Sequence, residues 1–330
     1  MIRQPTIRQV AVLAGVSPST VSRVLNGNDG QHMRPATRDR VLAAIHELDY
    51  TPQRAARSLR RQRSQVLAIL LPDISNPFFA LLARGVEAVA FDAGCSTLIC
   101  DSDNLVPKET RYLSLLLAER VQGVVLVPVA QPDRDAIDRL ARCGVRVVVA
   151  DREVRGLPTI SADNRAGSRM LTEHLLELGY RQIAYIAGPS DVSTANDRLA
   201  GFLDALRARN MSPVCVRHSP YTYESAYATA KAILARSVLD AIVAANDLMA
   251  VGVMRAAEEL GRAVPDDLGV AGFDHVPWAA FVRPRLTTVE VPARHMGTEA
   301  ARMLLEGSVE SLLLPVRIIP GETCSRRSMR

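Results

Sequence analysis

The 330-residue sequence predicts an α/β protein with parallel sheets, preceded by a small all-helical domain. Three observations carry this. From residue 66 onward, short β-branched runs alternate with longer amphipathic stretches. Before them, two short helical patterns meet at a glycine and a third follows. The basic charge is confined to the first fifth of the chain: residues 1–64 hold eleven Arg, no Lys and four acids, a net +7, and the other 266 hold 29 bases against 31 acids, a net −2. A basic module on a near-neutral body is the electrostatic footprint of nucleic-acid binding.

Thr6 with Gln9 three residues on forms a capping box, so a helix starts at Ile7. Val10, Ala11 and Ala14 share its inner face with Ile7, and Gly15 supplies the left-handed residue of a sharp turn. Ser17 is a second N-cap, with Pro18 at the first helical position. Val21, Val24 and Leu25 make the apolar face until Asn26-Gly27. This spacing is that of a helix-turn-helix. A third helix, about 35–48, closes a core of about fifty residues with Val41, Ile45 and Leu48. A plain helical hairpin would leave the charge split and the outward Ser19, Ser22 and Arg23 unexplained.

Residues 51–64 contain five Arg and little apolar surface, the composition of a linker that does not fold alone. Strands are then expected near 66–71, 96–101, 123–128, 145–150, 182–187, 240–245 and 268–273, with helices between. The 260 residues concerned form either one large doubly wound sheet or two lobes. Ligands on such sheets bind beyond the carboxyl ends of strands. Asn76, Phe78 and Phe79 follow the first strand, Asp151 and Arg152 the fourth, and Arg198 the fifth. Asn246 and Asp274 follow the last two. Carboxylates accept from hydroxyl groups, Arg and Asn donate to ring oxygens, and phenyl faces cover C–H surface. Singly, each has an ordinary reading as core, cap or surface pair. Their common position suits a small polyhydroxylated ligand.

No apolar run approaches the ~20 residues of a membrane-spanning helix. The N-terminus lacks a secretory signal pattern, so a cytoplasmic protein is expected. Five cysteines without a C-x-x-C pair speak against disulfides or structural zinc. Phosphate-binding, nucleophile-elbow and zinc-protease motifs are missing, and the six histidines are scattered. No catalysis, metal or cofactor is predicted.

Three runs, "TIRQVAVLAGVSPSTVSRVLNG" (6–27), "TRDRVLAAIHELDYTPQRAARSLR" (37–60) and "PDISNPFFALLARGVEAVAFDAG" (72–94), closely resemble the lactose-repressor and purine-repressor family of bacterial transcription regulators. The resemblance implies three parts: a helix-turn-helix domain (1–50), a hinge helix or linker (51–64), and an effector-binding and dimerisation core (65–330). That core resembles periplasmic binding proteins, with two lobes, each holding a parallel doubly wound sheet. The N-lobe is about 65–162 and 292–325 and the C-lobe about 163–291, with crossings near 161–163, 290–292 and 317–321. In the family the second helix enters the major groove, which makes Pro18, Ser19 and Arg23 base readers. Arg23 suits the O6 and N7 of a guanine. Pro18 stands where the lactose repressor has a polar residue and offers only apolar contact. Thr6, Ser17, Thr20, Ser22 and Asn26 complete the DNA-facing set. Arg54 and Arg57 would touch phosphates, and Leu59 matches a leucine that wedges into the minor groove.

Within the family, the effector motifs look most similar to those of ribose-binding proteins, on Asn76, Phe78, Phe79, Asp151, Arg152, Arg198, Asn246 and Asp274. Glu290 stands where those proteins have glutamine and is a ninth candidate. Trp278, Tyr221 and Tyr223 are equally readable as cleft, core or surface. The implied function is a homodimeric repressor of a carbohydrate-utilisation operon, released from a near-palindromic operator by a small sugar. A corepressor-dependent regulator binding a purine or a sugar phosphate is the alternative. A transport-type sugar-binding protein or a sugar enzyme is a rival from another class.

Overall fold

The computed structural model describes residues 5–25, 33–50 and 64–327, and the chain divides into two compact units, Met1–Ser64 and Gln65–Arg330. In the first unit α1 (Ile7–Ala14), α2 (Pro18–Leu25) and α3 (Pro35–Glu47) enclose a small core of Val10, Ala11, Ala14, Val21, Val24, Val41 and Ala44. The capping box forms as written: Thr6 N–H donates to Gln9 Oε1 at 2.8 Å, and Gln9 N–H donates to Thr6 Oγ1 at 3.4 Å. Gly15 ends α1 at φ 63°, a backbone only glycine adopts cheaply. Arg34 precedes α3 without a side-chain cap, and Pro35 at the first position has no N–H to leave unsatisfied.

The second unit is built on two parallel sheets. The first has the order β11-β5-β4-β3-β1-β2, from β1 (Val66–Leu71), β2 (Ser96–Asp101), β3 (Gly123–Leu126), β4 (Arg146–Ala150), β5 (Thr159–Ala162) and β11 (Leu312–Leu314). Side chains alternate across it. Leu67, Ile69 and Leu71 face Leu82 and Val86 of α4 (Pro77–Asp92) and Met296, Ala300 and Leu304 of α11 (Ala293–Glu306). Ala68 and Leu70 face Leu113 and Leu116 of α5 (Val106–Ala118) and Ile137 and Leu140 of α6 (Arg134–Arg142). Burial on both faces explains why these strands read as unbroken apolar runs.

The second sheet has the order β7-β6-β8-β9, from β6 (Ile183–Ala187), β7 (Val216–His218), β8 (Ala241–Ala244) and β9 (Gly269–Ala271). It carries α7 (Asn164–Glu177), α8 (Ser193–Arg207), α9 (Tyr223–Leu234) and α10 (Asp247–Glu259). β10 (Thr288–Glu290) and β12 (Arg317–Ile319) form a separate antiparallel pair, tied to the second sheet by bridges Ala271↔Thr287 and Asp274↔Glu290.

The chain passes between sheets after β5, between β10 and α11, and between β11 and β12. This corrects one sequence boundary. The stretch 292–325 is not wholly first-lobe: after β11 it returns to the second, where Thr323 O accepts from Val270 N–H and Arg327 N–H donates to Leu178 O. The β12–β10 ladder draws the tail back.

Candidate functional site

Eight side chains named from the sequence converge where the strands of both sheets end. Asn76, Phe78, Phe79, Asp151, Arg152, Arg198, Asn246 and Asp274 line one cleft with a free space of about 420 Å³ including its mouth, together with Asp73, Asn104, Thr194 and Tyr221. Both asparagines are N-caps. Asn76 Oδ1 accepts from Phe78 N–H at 3.0 Å and Asn246 Oδ1 from Met249 N–H at 2.9 Å, which fixes each amide. Phe78 and Phe79 meet edge to face with centroids 5.3 Å apart.

Asp151 and Asp274 both adopt left-handed backbone, φ 66° and 108°, Asp151 directly after β4 and Asp274 three residues beyond the end of β9. Strain of this kind persists where packing over-determines it. Arg152 Nη1 donates to Pro128 O at 2.6 Å. Arg198 is the most connected group in the cleft: Nε donates to Asn164 Oδ1 and Nη1 to Ala245 O, both at 2.7 Å, and Nη2 lies 3.0 Å from Asp274 Oδ1. Its guanidinium sits 4.0 Å from the Phe273 ring centroid.

Burial pushes the Asp274 carboxyl up to about 7, with Arg198 pulling it down and Asp151 pushing it further up. Burial also raises Asp151, against Arg198 and Arg152. Arg198 is itself weakened as a cation by burial, but Asp274, Tyr221 and Asp151 more than offset this and hold it above its ordinary value. The arrangement pairs hydrogen-bond acceptors and donors around aromatic faces in one cleft, which suits a small hydroxylated ring.

In the first unit, Ser17 Oγ accepts from Thr20 N–H at 3.2 Å and lies 2.7 Å from Ser19 Oγ and 2.9 Å from Thr20 Oγ1. Ser17, Pro18, Ser19 and Arg23 are exposed along α2, and Thr20 and Ser22 are half-buried. Thr6 stands at the start of α1. Asn26, Arg54, Arg57 and Leu59 lie outside the described residues.

A family model described as bacterial regulatory proteins, lacI family, matches residues 6–53, and a periplasmic binding protein-like domain matches 172–329. The ribose operon repressor of Halalkalibacterium halodurans is 37% identical over 325 residues, 96% of each chain. The chain belongs to the lacI family of bacterial regulatory proteins.

Two solved structures extend the likeness of this lacI-family chain. The lac repressor dimer bound to operator and the anti-inducer ONPF is 31% identical, with TM-score 0.88, over 98% of this chain and 100% of that one. A LacI family regulator from Enterococcus faecium with bound ribose is 27% identical, with TM-score 0.73, over 80% and 100%. Among the described residues, no helix is long and apolar enough to cross a membrane.

One candidate of the lacI-family core is corrected. Glu290 does not line the cleft. The β10–β12 register sets it opposite Arg317, and its carboxylate pairs with that guanidinium, with His275 Nδ1 3.9 Å away. Trp278 packs half-buried on the core, and Tyr223 stacks on Tyr227. Tyr221 does reach the cleft, its hydroxyl buried beside Thr194 without a well-formed hydrogen bond. Asp73, Asn104 and Thr194 carried no signal that sequence reasoning used.

Behind Arg152, the fully buried Glu109 of α5 accepts from Val129 N–H at 2.8 Å, while its other oxygen has no partner. Burial pushes its pKa from 4.5 to about 7, offset in part by Val129 N–H and Arg152. The folded state therefore binds a proton that the unfolded state has released. Its stabilising contribution is complete below pH 4.5 and is lost as pH rises through about 7. Glu109→Gln is expected to shrink the fall in urea midpoint between pH 5 and pH 8. An unchanged fall would show that Glu109 is not its source.

Proposed function

We propose that the chain represses a carbohydrate-utilisation operon, binding a near-palindromic operator as a homodimer and leaving it when a ribose-like sugar enters the cleft. The carrying observation is that six polar side chains of complementary hydrogen-bonding type, Asn76, Asp151, Arg152, Arg198, Asn246 and Asp274, line one cleft with the phenyl rings of Phe78 and Phe79. The relative named for the ribose operon and the structure holding ribose support the choice of sugar. The structure of the lac repressor dimer on operator supports the DNA-bound dimer.

In this reading residues 1–50 read DNA, 51–64 connect, and 65–330 bind effector. Pro18, Ser19 and Arg23 face base edges. Sugar hydroxyls donate to Asp151 and Asp274 and accept from Arg152, Arg198 and the two asparagine amides. Phe78, Phe79 and Tyr221 cover the ring. Effector and operator oppose each other by a coupling free energy, so each weakens the other's binding by the same factor.

Two measurements test the reading. Thermal unfolding against pentoses, hexoses, purines and sugar phosphates is expected to show a rise in midpoint with ribose or a close relative. A rise with a purine or phosphate alone would overturn the ribose-like effector and favour the purine or sugar-phosphate alternative, whose effect on operator affinity would then give its sign. On DNA, Arg23→Ala is expected to cost about 1–3 kcal/mol of operator preference by removing a bidentate base contact. Ribose affinity should be unchanged, and loss of both activities together would indicate misfolding instead.

A further inference from the structure

A second recess, about 470 Å³ including its mouth, shares Asp151 and Thr194 with the main cleft. Its chemistry is different. Glu153, Asp163 and Asp197 join Asp151 on its wall, and its one cation among the lining residues is Arg165. That guanidinium is already engaged: Arg165 Nη2 lies 2.6 Å from Asp204, to which Nε also donates at 2.8 Å. Asp163 Oδ1 accepts from Ala166 N–H at 2.9 Å as the cap of α7. Asp197 is held above the ordinary carboxylate range by burial, then by the charge of Glu153, with Asp163 adding to it and Arg165 opposing.

Asp151 stands between the two spaces. It is 7% exposed, sits in a left-handed backbone at φ 66°, and accepts no hydrogen bond among the described residues. The charges of Arg198 and Arg152 act on it without a hydrogen bond to either. A buried carboxylate without a bonded partner costs free energy that a ligand's donor recovers. The helices α7 and α8 both begin at this recess, and each N-terminus carries about half a positive charge, which favours anions. Four carboxylates outweigh two such ends, so a phosphate is repelled and a cation is the missing complement.

We propose that this recess is a second subsite of the cleft, receiving an ammonium group carried by the effector, so that the effector class is an amine-bearing sugar. The proposal rests on the reading of the cleft as a sugar site. Ammonium donates to Asp151 at the boundary of the two spaces and is drawn by Asp197, Glu153 and Asp163 at the mouth.

Calorimetric titration of the full chain tests this with D-ribose, 2-amino-2-deoxy-D-ribose, 3-amino-3-deoxy-D-ribose and 2-aminoethyl D-riboside, each amine paired with its neutral hydroxyl analogue. At low ionic strength one amine is expected to bind about tenfold tighter than its neutral partner. The double variant Glu153→Gln with Asp197→Asn, checked as folded by its unfolding midpoint, is expected to cut that ratio by about threefold or more, the remainder being held by Asp151. Ribose binding with no amine preferred, or a preference undiminished in the double variant, overturns the subsite and leaves the sugar reading standing. Binding of no sugar at all overturns both.

Discussion

Arg198→Ala is expected to cost the fold about 3–5 kcal/mol and to abolish sugar binding, the largest effect of any cleft substitution. The side chain is 4% exposed and joins four parts of the second lobe: its own helix α8, Asn164 at the head of α7, Ala245 after β8, and Asp274 after β9. Removing it strips the buried Asp274 of its partner and leaves the Ala245 carbonyl and the Asn164 amide without their donor. Arg198→Lys keeps a charge but not the three-way fork, so an intermediate loss is expected. Combining Arg198→Ala with Asp274→Asn is expected to recover part of the stability, because the second change removes the stranded carboxylate. Urea unfolding measures the series. A loss below about 1 kcal/mol for Arg198→Ala would show the network to be dispensable.

The second large effect is expected outside the cleft lining, where α4 and α11 cross. A Cβ on Gly85 would lie 2.0 Å from Arg294 O, and one on Gly297 would lie 2.0 Å from Leu82 O. Both clashes are with backbone, so no rotamer change relieves them. Gly85→Ala must push the helices apart along their whole contact, which is expected to cost about 3 kcal/mol, at the upper end of overpacking losses. Gly297→Ala is expected to cost about as much, and the double variant clearly less than the sum, since the first separation already opens space for the second methyl. Strict additivity in denaturant unfolding would mean that the two contacts relax independently.

The helix-turn-helix was legible because its signals are local. Thr6 and Gln9 cap one another three residues apart, and Gly15 turns the chain without reference to anything distant. The cleft was legible for a topological reason: parallel strands point their carboxyl ends the same way, so residues that follow them in sequence gather in space. Signals that depend on pairing were not readable. β7 is a three-residue edge strand, Val-Arg-His, with no apolar alternation, so nothing marked Tyr221 as lying beyond a strand end. Glu290 was misplaced because only the register with β12 reveals that Arg317 takes its carboxylate. The tail 320–327 has no periodicity, and its attachment rests on single contacts such as Ser325 N–H donating to Tyr180 Oη at 3.1 Å.

The crossings of the chain also impose an order of manufacture. Five of the six strands of the first sheet, β1 to β5, leave the ribosome before the second lobe, yet one face of that sheet is covered partly by α11, whose Met296, Ala300 and Leu304 belong to the same core as Leu82 and Val86. About 130 residues separate β5 from α11. At ~5–20 residues per second, the nascent first lobe waits seconds with part of an apolar face uncovered while its neighbour is being made. Growth of the polypeptide thus passes through an interval in which α4 alone covers that face and the patch destined for α11 has no helix of the chain's own upon it.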